Sequence, residues 1–208
     1  MTRRHDPAWI WMIGAFAGAL ALAVAVLAGY GTGPDGLRLG LRVTARWSFL
    51  FFWLSYVGGA MAILFGPAFA GLARHARVLG LSFATAHLVH IGLVVWLGVV
   101  IGQIPLQGVG LWFFLVALLL TYLLALLSFG IGMRIVGRLW RPLLLLGTTY
   151  LLIAFGGDFL GGALDQKTQH SGLYAAEYVP FALLSLIAIP LRLAAFLRQR
   201  FGLHSATA

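Results

Sequence analysis

Six apolar runs, each close to the ~20 residues that a membrane-spanning helix needs, constrain this chain more than any other feature. They cover approximately residues 9–29, 47–70, 78–101, 109–131, 140–160 and 173–196. Hydrocarbon offers no hydrogen-bond partners, so backbone that crosses it must satisfy its own N–H and C=O groups, and segments of this length do so as helices. The expected fold is therefore all-α: a polytopic bundle of six transmembrane helices forming a single transmembrane domain over residues 1–208, with no soluble domain. Composition agrees. Only 9% of the residues are charged and 62% are hydrophobic, against roughly 25% charged in soluble domains. The connections are short, and only 30–46 and 161–172 have room for more than a turn.

The net charge of +9 does not point to nucleic acid, because the basic residues flank apolar runs instead of lining one stripe. If six helices alternate, Arg3, Arg4, Arg74, Arg77, Arg134, Arg138, Arg141, Arg192, Arg198 and Arg200 share one side. Arg38, Arg42, Arg46 and Lys167 fall on the other. The excess of cationic residues places both termini in the cytoplasm. The three dissenting arginines recur every fourth residue in GLRLGLRVTARW, a spacing suited to a short interfacial helix at the headgroups. Trp9, Trp11, Trp47, Trp112 and Trp140 sit at segment ends, as an aromatic belt requires. The first run is long for a signal-peptide core, and its removal would upset the arginine pattern, so it reads as a retained helix. Gly14 and Gly18 form one GxxxG, which serves close helix packing or dimerisation. Cysteine is absent, which removes disulfides, thiolate metal sites and iron–sulfur clusters.

Against this background two histidines stand out. His87 and His90 lie inside LGLSFATAHLVHIGLVVWLG, residues 79–98. At ~1.5 Å per residue from about residue 78, His87 sits some ~13 Å in and His90 near the bilayer midplane. Ionisable groups at that depth face a bundle interior or a polar cavity. A separation of three residues puts both on one helical face. Two histidines on one turn approach from the same side, so they cannot form opposite axial bonds to one heme. A zinc site would need further ligands, and the remaining histidines (His5, His75, His170 and His204) are terminal or in loops. The alternative is an interhelical hydrogen bond, with Ser55, Tyr56, Thr121, Tyr122, Thr148, Thr149 or Tyr150 as candidate partners.

The stretch from Arg74 through Arg77, Leu79-Gly80-Leu81 and Phe83 to His90 resembles the third-helix signature of the ferric-reductase-like transmembrane domain. That superfamily includes the heme-binding membrane subunit of the methionine-sulfoxide reductase system. The resemblance implies a b-type heme, an electron-transfer role and an oxidoreductase context, with His90 at the heme-ligand position and His87 an addition on the same face. It covers most of the chain in helical layout and about residues 74–90 in motif. The family's fifth-helix histidines are missing: LWRPLLLLGTTYLLIAFGGDFL contains none. The corresponding positions fall near Leu144 to Leu146 and Gly157 to Phe159, which leaves Tyr56, Tyr122, Tyr150, a methionine or five-coordination at His90. These 208 residues are expected to carry no flavin or nicotinamide domain of the kind that full ferric reductases carry, so electrons are expected from a quinol or a partner protein.

Asp158, His170 and Glu177, with Gln103 nearby in topology, make a second polar set toward the outer half. It reads as interfacial capping and solvation, or as a quinone or proton site. Two functions from different classes follow. One is a heme-binding redox subunit in the lipid bilayer of a bacterial inner membrane. The other is a non-enzymatic membrane bundle, such as an assembly or structural partner or a small transporter, that has lost heme binding.

Overall fold

The computed structural model describes residues 8–129, 134, 136–165 and 172–202. Every regular element among them is helical. The helices are α1 (Ala8–Tyr30), α2 (Pro34–Phe65), α3 (Ala70–Ile101), α4 (Gly108–Leu127), α5 (Trp140–Leu164) and α6 (Gly172–Arg200), with short 3-10 turns at Pro67–Phe69 and Gly137–Leu139. All six are long and apolar enough to cross a membrane. A chain with this content is an integral membrane protein. Arg3, Arg4 and Lys167, which enter the expected orientation, lie outside the described residues.

The main departure from the sequence reading is at α2. Residues 30–46 read as a connection, yet α2 begins at Pro34 and runs for 32 residues. Proline is well placed at a helix start, where its missing N–H costs nothing. The true connection is Gly31 to Gly33. Gly31 has φ +80°, the left-handed conformation that ends many helices and that glycine adopts at least cost, and its N–H donates to the Leu27 carbonyl at 2.9 Å. The three arginines thus stand on the first half of a continuous helix instead of a separate interfacial one. Arg38 pairs with Asp35 at 3.1 Å, and Arg46 donates to the Arg42 carbonyl at 2.7 Å. At ~1.5 Å per residue, the 32 residues of α2 exceed the ~30 Å hydrocarbon thickness. The 32 residues of α3 do the same.

The chain divides into two compact units, residues 1–52 with 78–147 and residues 53–77 with 148–208. In the first, α1 lies on α2 and α3 through small residues. Ala15, Ala19 and Ala23 recur every fourth position and are buried with Leu37, Ala86, Val89, Leu93 and Leu97. Between lipid-solvated helices there is no net hydrophobic drive, so close van der Waals packing of small residues holds them together. Gly18 makes that approach possible: a Cβ there would meet the Trp47 ring at 2.6 Å. Trp47 therefore does not mark a helix end. It sits within α2, donates from Nε1 to the Ala15 carbonyl at 2.9 Å, and meets Phe51 edge-on. Thr85 of α3 adds a bond to the Met12 carbonyl at 3.0 Å. A Cβ at Gly14 would meet nothing among the described residues, so of the GxxxG it is Gly18 that packs closely there.

In the second unit, side chains from the end of α2 reach backbone carbonyls on other helices. Trp53 Nε1 donates to Leu184 O at 2.7 Å, and Ser55 Oγ donates to Ala76 O at 2.7 Å. Arg198 donates to Leu64 O at 2.7 Å, where α2 ends and its carbonyls lack helical partners. Phe159 is buried between Phe155 and Phe181 at ring separations of 6.1 and 5.3 Å. Arg192 lies 4.3 Å from the centre of the Tyr56 ring, a cation–π contact.

Candidate functional site

The antiparallel run of α2 against α3 creates the one polar cluster in the first unit that contains both singled-out histidines. Along α2, Leu37, Leu41, Thr44 and Ser48 are spaced 4, 3 and 4 residues apart, the repeat of one helical face. Leu37, Thr44 and Ser48 are fully buried. Opposite them on α3, His87 and His90 are half-buried while the surrounding Ser82, Phe83, Ala86 and Val89 are buried. The two imidazoles stack with centroids 4.9 Å apart and planes 15° from parallel, and Phe83 lies 5.4 Å from His87.

Each imidazole has a hydroxyl from α2 at its Nδ1. Thr44 Oγ1 is 3.3 Å from His90 Nδ1, and Ser48 Oγ is 3.3 Å from His87 Nδ1. His90 Nδ1 also lies 3.2 Å from the Leu41 carbonyl. A carbonyl oxygen only accepts, so the His90 proton belongs on Nδ1 and the lone pair on Nε2. Among the described residues nothing hydrogen-bonds that Nε2. Donation of the distal N–H to a carbonyl is the arrangement that orients a metal-ligating histidine and raises its basicity.

The hydroxyls that reach the imidazoles are therefore not the ones expected from depth alone. Ser55 donates to the Ala76 carbonyl, Tyr56 pairs with Thr149 at 3.4 Å, and Thr121 donates to its own helix at Ala117 O. Tyr122 reaches Ala84 O at 3.4 Å. Thr44 falls in the stretch read as a connection, which is why sequence reasoning passed over it. The signal that could have found it is the Leu37, Leu41, Thr44, Ser48 periodicity.

Were a heme iron held here, His90 Nε2 would supply one axial bond. The described residues do not supply the opposed histidine pair of the family. On α5, Leu144, Leu145 and Leu146 are exposed, and Phe159 is packed among aromatic rings. No group of three His, Asp or Glu side chains among the described residues gathers as a metal site. Of the outer polar set, Asp158 is exposed on α5, which continues past it to Leu164, and Glu177 is half-buried on α6. His170 lies outside the described residues, so the three are not described as one site. Among buried polar groups, Ser82 Oγ is fully enclosed and without a hydrogen-bond partner among the described residues.

The fold and the cluster together define a helical integral membrane protein with a paired-imidazole site inside its first unit. No family model, curated protein or solved structure matches the chain.

Proposed function

We propose that this chain is a ferric-reductase-like membrane protein, an electron-transfer subunit of a bacterial inner membrane that holds a b-type heme through His90 Nε2. The observation that carries the reading is the 3.2 Å contact between His90 Nδ1 and the Leu41 carbonyl, which leaves Nε2 as an electron-pair donor deep in the membrane. His90 is also the position at which the Arg74-to-His90 stretch resembles the family's ligand. A heme held there would carry single electrons, supplied by a quinol or a partner protein. The chain's own contribution is to orient the imidazole and keep it in one tautomer. His87, stacked on His90, faces the same way and does not complete an axial pair.

The orientation follows the arginines, with both termini in the cytoplasm. Asp158, His170 and Glu177 belong to this proposal only as an outer-side quinone or proton site.

A second reading is favoured by the same contacts. With both Nδ1 atoms facing α2 hydroxyls, the pair also works as an interhelical clamp in a non-enzymatic bundle. Absorption spectroscopy separates the two. Protein purified in detergent from heme-supplemented cells is expected to show a Soret band, with α and β bands on reduction, that His90→Ala abolishes. A colourless wild type from such cells contradicts heme binding and leaves the clamp.

A further inference from the structure

Thr44 and Ser48 are four residues apart on α2, and His90 and His87 are three apart on the antiparallel α3, so each hydroxyl meets one imidazole. The Thr44 hydroxyl hydrogen has a nearer acceptor than the imidazole. It points to the Gly40 carbonyl at 2.8 Å, the back-bonding that threonine makes within helices. Thr44 Oγ1 therefore offers a lone pair to α3 and accepts from His90 Nδ1–H. Ser48 repeats the pattern: its hydroxyl donates to the Ala45 carbonyl at 3.0 Å and turns its lone pair toward His87. Gly40 lets α3 come close at this level, since a Cβ there would stand 3.3 Å from Leu93 Cδ1.

We propose that Thr44 is a positioning residue for His90: its hydroxyl oxygen and the Leu41 carbonyl jointly accept the Nδ1–H, and together they hold the ring with Nε2 as the electron-pair donor. Ser48 Oγ accepts from His87 Nδ1–H in the corresponding way. The consequence at a heme iron rests on the function proposed above; the tautomer does not. Stronger donation from Nδ1–H makes an axial imidazole more anionic and favours the oxidised iron. Loss of one acceptor therefore shifts the midpoint potential upward.

The test uses full-length protein labelled with ¹⁵N at histidine, purified in detergent without added heme. His90 and His87 are assigned by the signals lost in His90→Gln and His87→Gln. In wild type, His90 is expected as the Nδ1–H tautomer. Thr44→Val is expected to move its Nδ1–H resonance, Thr44→Ser to restore it, and Ser48→Ala to move the His87 signal while leaving that of His90 in place. An Nε2–H tautomer at His90 in wild type overturns the proposal. So does a Thr44→Val spectrum that superimposes on wild type. Should Thr44→Val fail to elute as a folded species, Thr44→Ala and the Ser48→Ala comparison decide in the same terms. In heme-loaded protein, Thr44→Val is expected to raise the midpoint potential and Thr44→Ser to leave it near wild type. An unchanged potential in Thr44→Val removes the role at iron. A wild type that takes up no heme overturns the function while the nitrogen spectra still decide the tautomer.

Discussion

At the scale of single residues, the cluster turns on which polar atoms have partners. Interhelical hydrogen bonds inside membranes contribute about 0.6 kcal/mol on average and up to ~1.7 kcal/mol. Ser48 contributes one such bond to His87. Ser48→Ala is accordingly expected to cost about 0.5–1 kcal/mol in a reversible SDS-unfolding titration, and a loss well above ~2 kcal/mol would mean that Ser48 does more than hold His87. Ser82 makes the opposite case. Its hydroxyl is fully buried with no partner among the described residues, and such a group costs about 1–3 kcal/mol. Ser82→Ala should leave the unfolding midpoint unchanged or raise it; a clear drop would reveal a bond that these contacts do not include. The histidines were legible in the sequence because ionisable side chains stand out in apolar runs. Of their α2 partners, Thr44 was not, because a hydroxyl in a stretch carrying three arginines gives no hydropathy signal, and Ser48, inside the second apolar run, carries no charge to single it out.

At the scale of elements, α1 is held by shape. Gly18 accommodates the Trp47 ring, while a Cβ at Gly14, four residues earlier, would meet nothing among the described residues. Gly18→Val should therefore lower stability by about 1–3 kcal/mol through overpacking, and Gly14→Val should change it little. The two values are compared by the same titration, and equal losses would refute the assignment of Gly18 to the α1–α2 contact. The six spans could be read from hydropathy because each carries ~20 apolar residues. The start of α2 could not: Arg38, Arg42 and Arg46 depress the apolar average across three turns. What places these turns in the helix is tertiary, since the face bearing Leu37, Thr44 and Ser48 is buried. Trp47 reads as a segment end for the same reason, whereas it lies inside α2 as a donor to α1.

At the scale of the whole molecule, ten cationic residues against four by sequence predict both termini in the cytoplasm. A green fluorescent protein fused after Ala208 should fluoresce, and alkaline phosphatase at the same point should be inactive. The reverse pair of results would invert the orientation. The family resemblance rests on Arg74 to His90, whereas the absent fifth-helix histidines set this chain apart from the family's paired axial ligands. The proposed heme binding therefore depends on the His90 imidazole more than on any other group. Hemin titrated into purified apoprotein, followed at the Soret maximum, tests it most directly. The expectation is saturation at one heme per chain for wild type and for His87→Ala, with no saturable binding for His90→Ala. Equal binding by wild type and His90→Ala, or no binding by wild type, would contradict it.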